Sequence, residues 1–262
     1  MDLKIVLYGI GRGLNISQPS IEKKLITPAK AYFPKITKYH FVQIEKEIAN
    51  ERSGDFGQIH QIKGKTFKTI NPVFIEYQPA EHTPDLYKTI IDSKCMHGDN
   101  HRSSINLIKQ LNLLKKSTID INDEDIVMFC RDDIFIESFN LKIFESIKNL
   151  KSDEFFVSCY DWQNGINDRF MLSKGKVAKV FKNRIDYIND LIKEDKGING
   201  ERLMKFVSKE FNLKPISYDI KFSRVRLDES LVKEKRYLPF HRPSEVIRII
   251  ISFARSILVA LR

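Results

Sequence analysis

The sequence predicts an α/β fold built on a mostly parallel, twisted sheet flanked by helices. Three observations lead there. Runs rich in Ile, Val, Leu and Phe recur along the chain, separated by segments whose apolar residues repeat with helical period. The run at residues 3–8 alternates little between apolar and polar, as a strand covered on both faces does. Finally, 262 residues, 42% of them hydrophobic and 11% aromatic, are enough for one well-filled domain and argue against disorder.

Residues 3–8 form the first strand, and "GIGRG" at 9–13 breaks it. An acid at position 2 and a short apolar stretch mark this N-terminus as a strand rather than a signal peptide. A helix including 20–26 follows, and "KYHFVQI" (38–44) is the second strand. Residues 45–71 are polar with scattered glycine, which predicts a loop with a short irregular element. "PVFIEY" (72–77) is a third strand, and 79–100 gives no clear pattern. From Ser103 the period is 3.6: Ile105, Ile108, Leu111 and Leu114 line one helix face, with Lys109, Lys115 and Lys116 off it. After the acidic loop "DINDED" a strand opens at Ile126. A second amphipathic helix covers 138–150, "EFFVSCY" (154–160) is a strand, "DWQNGIND" a loop and "RFMLS" a short strand. Helices over 174–193 and 200–211 and a strand in "LKPISYDI" complete a domain spanning 1–230.

Lysine and arginine outnumber acids by 44 to 34, a formal charge of +10. That suits an anionic partner: nucleic acid, a phosphorylated small molecule or an acidic membrane surface. Residues 231–262 hold seven Lys and Arg against two acids, half of the excess. In "RPSEVIRIIISFARSILVALR", Pro243, Ser244 and Glu245 suit a helix start. Arg248, Arg255 and Arg262 recur every seven residues as one narrow stripe on an otherwise apolar helix. The expectation for 231–262 is a basic linker and an amphipathic helix, 243–262, lying on an anionic membrane surface. Packing of that helix on the protein's own core is the alternative. No window reaches the roughly 18 uncharged apolar residues of a spanning helix. Cys95, Cys130 and Cys159 are odd in number and widely spaced, so they read as reduced cytosolic thiols.

The chemistry concentrates in "IVMFCRDDIFI" (126–136), where three ionised groups interrupt a run built for burial. Such groups must reach a cleft, a metal or one another. Strand alternation puts Arg131 and Asp133 on one face and Asp132 on the other. Asp133 can then bind a hard divalent cation through oxygen while Arg131 contacts a phosphate. The plainer alternative is a buried ion pair, with Asp132 capping the next loop. Asp161, Trp162, Asn164, Asn167, Asp168 and Arg169 crowd the loop after the next strand, where an open parallel sheet places its ligand crevice. Trp162, the sole tryptophan, either stacks on a sugar or base or covers the core. "GIGRG" suggests a phosphate-binding turn. It lacks the third glycine of a dinucleotide fingerprint, and strand two offers only Glu45, which disfavours a nucleotide-cofactor oxidoreductase. "CMHGDNH" holds Cys95, His97 and His101, but nothing completes a tetrahedral zinc set, so a polar loop is preferred.

Together these residues resemble the bacterial polysaccharide and lipopolysaccharide glycosyltransferases with an A-type (GT-A) fold. The likeness rests on "IVLYGIGR" with Arg12, on Ser103–Ser104 opening a helix, and on a strand ending in Arg131-Asp132-Asp133. It continues in "NDRFMLS" (Asp168, Arg169, Phe170) and in "NGERLMKF" with Glu201, and runs over residues 1–226. The resemblance implies transfer of a sugar from a nucleotide-diphosphate donor. The acceptor would be a lipid-linked or lipopolysaccharide/capsule glycan, reached from the cytoplasmic face of the cell membrane. Gly9, Arg12, Arg131, Trp162 and Arg169 are the residues expected to bind substrate. If the enzyme inverts, Asp168, or failing it Asp161, would deprotonate the acceptor hydroxyl, and Arg169 could instead pair with Asp168 and merely orient it. Asp133 matches the metal-binding aspartate of the Asp-x-Asp type, for Mn or Mg. Arg131 replaces the first carboxylate of that pattern, so a guanidinium could itself neutralise the diphosphate. Nucleic acid is not an expected partner. The competing reading is a basic α/β module that binds nucleic acid or anionic lipid without catalysis.

Overall fold

The computed structural model describes residues 2–45, 70, 72–160, 165–194 and 197–233, together with the strand backbone of 47–50 and 55–58. The expectations for Asp161, Trp162 and the helix at 243–262 lie outside the described residues. Among the described residues no helix is long and apolar enough to cross a membrane.

The chain begins with β1 (Leu3–Gly9) and α1 (Leu14–Ile21), which continues through a π-helical turn into α2 (Thr27–Ala29). Next come β2 (Ile36–Gln43), the short strands β3 (Glu47–Asn50) and β4 (Asp55–Gln58), and β5 (Pro72–Ile75). The helices α3 (Pro79–His82), α4 (Pro84–Asp92) and α5 (Arg102–Lys116) lead to β6 (Ile126–Arg131) and β7 (Ile134–Phe139). Then follow α6 (Lys142–Ser146), β8 (Glu154–Ser158), β9 (Phe170–Lys174), α7 (Gly175–Lys182) and α8 (Ile188–Lys193). The described chain ends with α9 (Gly200–Glu210), β10 (Lys214–Tyr218), β11 (Ile220–Val225) and β12 (Leu231–Lys233).

Among the described residues the main sheet has seven strands in the order β10-β8-β9-β6-β1-β2-β5. Its pairings are parallel except at β9, which runs antiparallel between β6 and β8. The chain moves outward from β1 to β2 and β5, then returns to lay β6 on the other side of β1. The order of strands therefore reverses between β1 and β6.

Helices cover both faces of this sheet, which is why its central strands read as nearly continuous apolar runs. Leu3, Ile5 and Leu7 share one core with Ile126, Met128, Cys130, and Leu14 and Ile21 of α1. Val6 and Tyr8 share another with Val127, Phe129, Leu113 of α5, and Val177 and Phe181 of α7. A third core joins α4, α5, α8 and α9 through Ile90, Ile108, Leu191 and Leu203.

Several expectations are corrected. The apolar run at 126–136 is two strands, because Asp132 and Asp133 form a turn. Beyond it β7 leaves the main sheet and pairs antiparallel with β11, which pairs in turn with β12. Helix α6 consequently starts at Lys142 rather than at 138. The predicted helix over 174–193 divides at Asn183, with a 3-10 turn between α7 and α8. Residues 47–50 and 55–58 pair as an antiparallel hairpin inside the expected loop. The unassigned stretch 79–100 contains α3 and α4, each opening on a proline, whose missing N–H costs nothing in the first turn.

Candidate functional site

Gly9, the last residue of β1, opens the loop that turns into α1. Gly11 and Gly13 adopt left-handed backbone angles, φ 69° and 60°, which any residue with a Cβ takes up only under strain. A Cβ on Gly13 would also overlap Val225 Cγ1, and one on Gly9 would overlap Asp132 Oδ1. The spacing of "GIGRG" thus meets the needs of a tight loop, and Asp132 fills the volume over Gly9. Asp132 is fully buried. Its Oδ2 accepts the Gly11 N–H at 3.1 Å and lies 3.1 Å from Nε2 of His40 on β2. Among the described residues its Oδ1 has no hydrogen-bond partner. This side chain ties the glycine loop to the second strand.

Asp133, only 1% exposed, sits between two arginines. Arg12 donates to its Oδ2 through Nε at 3.1 Å and Nη2 at 2.7 Å. Arg131 binds it in a fork, Nε to Oδ1 at 2.8 Å and Nη2 to Oδ2 at 2.6 Å. Burial alone would raise the Asp133 carboxyl, but Arg131 and then Arg12 overcome it and hold the group well below the usual carboxylate range. Burial likewise works against the Arg131 charge, and Asp133 outweighs it, pushing that guanidinium above its ordinary value. Arg131 keeps 15% of its side chain exposed. Because β6 ends at Arg131 and Asp132–Asp133 form a turn, strand alternation does not extend to Asp133; the turn itself brings its carboxylate back onto Arg131.

Asp168 and Arg169 immediately precede β9, the strand beside β6. The Arg131 N–H donates to the Arg169 carbonyl at 3.0 Å, and the Tyr8 hydroxyl donates to the Asp168 carbonyl at 2.8 Å. The turn is therefore fastened to both β6 and β1. Burial pushes the Tyr8 phenol upward, with Arg184 opposing, so the hydroxyl keeps its proton. Asn167 accepts the Arg169 N–H at 3.0 Å and donates to the Tyr160 carbonyl at 2.8 Å. The Asp168 carboxylate packs against Gly200, where a Cβ would overlap its Oδ2, at the start of α9. Arg169 Nη1 lies 3.1 Å from Glu201 Oε1 and 3.9 Å from Asp168 Oδ1. Its nearer anion is Glu201. Beneath the site Arg184, 1% exposed, lies 3.6 Å from the centre of the Phe181 ring and donates to the Phe181 carbonyl at 2.8 Å. Burial lowers its affinity for the proton, and Tyr8 and Asp168 oppose that loss.

The structure thus gathers Gly9, Arg12, Arg131, Asp133, Asp168 and Arg169 at one end of β1, β6 and β9. Sequence reasoning passed over Tyr8, His40 and Arg184. His40 carried little signal, since Thr37, Lys38 and Gln43 of the same strand are polar too, and Arg184 looks from sequence like any basic residue near a helix end. At the zinc candidate, Cys95 Sγ approaches Asp99 Oδ1 at 3.6 Å and accepts the His101 N–H at 3.4 Å, while Asp99 caps Ser103 at the start of α5. It is a polar loop.

The divalent cation expected on Asp133 does not fit the residues present. Among the described residues, no group of three His, Cys, Asp or Glu side chains converges to hold a metal. Both oxygens of Asp133 already receive guanidinium donors. Mg binds a carboxylate oxygen at about 2.0–2.1 Å, which would bring it close to both arginines. Each pair of like unit charges 4 Å apart costs about 4 kcal/mol at an effective dielectric of 20. Asp132 offers no substitute: one oxygen is engaged by Gly11 and His40, and the other is buried over Gly9 with no second carboxylate, histidine or thiol set among the described residues to complete a metal site.

No family model matches the chain, and no curated protein is significantly similar to it. Among solved structures it is similar to the apo form of mouse xyloside xylosyltransferase 1, with TM-score 0.45, 9% identity, and coverage of 84% of this chain and 86% of that one. It is also similar to the galactosyltransferase LgtC in complex with donor and acceptor sugar analogs (TM-score 0.37, 13% identity, 80% and 70% coverage). A third is a putative glucose-1-phosphate thymidylyltransferase from Bacillus anthracis (TM-score 0.37, 10% identity, 86% and 90% coverage). Likeness at these scores carries no argument about activity, which has to come from the site itself.

Proposed function

We propose that the protein is a glycosyltransferase that moves a sugar from a nucleotide-diphosphate donor to a glycan acceptor. One observation carries the reading. At the point where the strand order reverses, the glycine loop, Arg131 and the Asp168–Arg169 turn meet outside the carboxyl ends of β1 and β6. Open α/β sheets bind ligands in that crevice. A fold alone does not define an activity, so the argument rests on the charged groups held there.

A glycosyl transfer needs positive charge where the leaving diphosphate develops negative charge. Arg131 is a cation at the strand end, fixed on one edge by Asp133 and still partly exposed. The transfer also needs a group to take the acceptor proton. Asp168 is a carboxylate whose backbone is fixed by Tyr8 and whose neighbouring arginine is engaged by Glu201. In this reading Asp168 takes the proton, and Arg169 with Glu201 sets its surroundings. Asp161 is the alternative base, and Trp162 the surface on which a sugar or base stacks. The resemblance drawn from the sequence supports a lipid-linked or lipopolysaccharide/capsule acceptor. The arginine stripe at 243–262 supports peripheral docking on the anionic cytoplasmic face of the cell membrane.

A thermal-shift screen of uridine, guanosine and cytidine diphosphate sugars tests the proposal. A ligand that binds only the folded state raises the melting temperature by mass action. At least one of these should do so at millimolar concentration, and no response from any, with or without manganese, sinks the transferase reading.

A further inference from the structure

We propose that Arg131 and Arg12, clamped on Asp133, replace a divalent cation, so that the protein binds nucleoside diphosphate without metal through Arg131. This rests on the transferase reading and specifies how the donor's charge is met.

The argument is one of charge and geometry. Two guanidinium groups bring the same double positive charge to Asp133 that a divalent ion would. Their four donor contacts span 2.6 to 3.1 Å. Of the two cations on this carboxylate, Arg131 is the better placed to reach a ligand. Arg12 is 9% exposed and spends Nε and Nη2 on Asp133, whereas Arg131 spends the same two atoms and keeps more of its side chain, 15%, in contact with solvent. Because the fork fixes one edge of a planar group, the direction of its remaining donors is fixed too, and a planar, oriented cation suits phosphate oxygens. The Arg131 N–H is also bound to the Arg169 carbonyl, so the cation and the Asp168 turn move as one piece. A metal at this place would instead displace arginines from a carboxylate they already satisfy.

The test uses the full chain and isothermal titration with uridine, guanosine and cytidine diphosphate, each in EDTA and in manganese. For whichever diphosphate binds, the affinity in EDTA should match that in manganese. Arg131→Ala should weaken it about 10- to 100-fold in EDTA, the loss of hydrogen bonds to a charged group. Arg131→Lys should recover only part of that loss, since a lysine lacks the fork. Binding that vanishes in EDTA and returns with manganese overturns the inference and leaves the transferase reading standing. So does unchanged affinity in a folded Arg131→Ala protein. If that variant does not fold, the wild-type comparison of EDTA with manganese decides by itself. If no diphosphate binds in either medium, both the inference and the transferase reading fall.

Discussion

Asp133→Asn should destabilise the protein as well as disturb donor binding, and the size of the effect follows from its contacts. The substitution keeps the shape of the side chain and removes its charge, leaving Arg12 and Arg131 without their shared anion. Removing one partner of a buried ion pair costs about 3–5 kcal/mol. Arg131 retains some solvent and asparagine keeps one acceptor oxygen, so the lower end, about 3 kcal/mol, applies here. A domain of this size loses about 2–4 °C per kcal/mol, so the melting temperature should fall by about 6–12 °C. The pH dependence has a definite sign. The folded-state carboxyl titrates below its unfolded value, so its contribution is complete above about pH 4 and is lost as the pH falls further. The gap between wild type and variant should therefore be constant from neutral pH to about 5 and narrow below about 4. Urea or thermal denaturation at both pH values measures it. A variant that melts with the wild type at neutral pH, or a gap that widens on acidification, refutes the ion-pair reasoning.

Three further outcomes are expected. Gly98→Ala meets only the strain of its φ of 63°, about 1–2 kcal/mol, whereas Gly13→Ala meets similar strain plus overlap with Val225, so Gly13→Ala should melt clearly lower; equal melting would mean that β11 yields easily. Glu201→Gln frees Arg169 to turn to Asp168, so on the proposed reading kcat should fall more than donor KM rises, while a change in KM alone would assign Glu201 to binding. Deleting residues 243–262 should release the protein from anionic vesicles, with salt-sensitive binding lost at about 1 kcal/mol per basic residue near the surface; unchanged sedimentation with a collapsed melting temperature would place that helix in the fold.

The central strands were legible in the sequence because burial on both faces leaves a local signature. Residues 3–8 and 126–129 read as strands for the same reason that they pack two cores. Helix α5 was legible from its 3.6-residue apolar period. Other elements had no such mark. β7 and β11 pair across more than eighty residues, and nothing near Ile134 announces that the chain changes sheets there. The break at Asn183 was hidden because Val177, Phe181, Ile185 and Ile188 keep a helical apolar spacing straight across it.

The candidate site divides along the same line. By itself the sequence determined that Arg131, Asp132 and Asp133 could not be idle, because charge inside an apolar run demands a partner. Alternation would put Arg131 and Asp133 on one face only along a continuous strand, whereas the chain turns at Asp132–Asp133 and the turn sets their contact. The partners themselves were a matter of tertiary structure. Arg12 lies 121 residues from Asp133 and His40 lies 92 from Asp132, and only the packing of β1 and β2 beside β6 brings them together. The choice of Arg169 between Asp168 and Glu201 was equally beyond the sequence, because it turns on under an ångström of separation set by where α9 begins. Strand period and burial are local and can be read along the chain, whereas the pairing of buried charges depends on distances that only the assembled sheet defines.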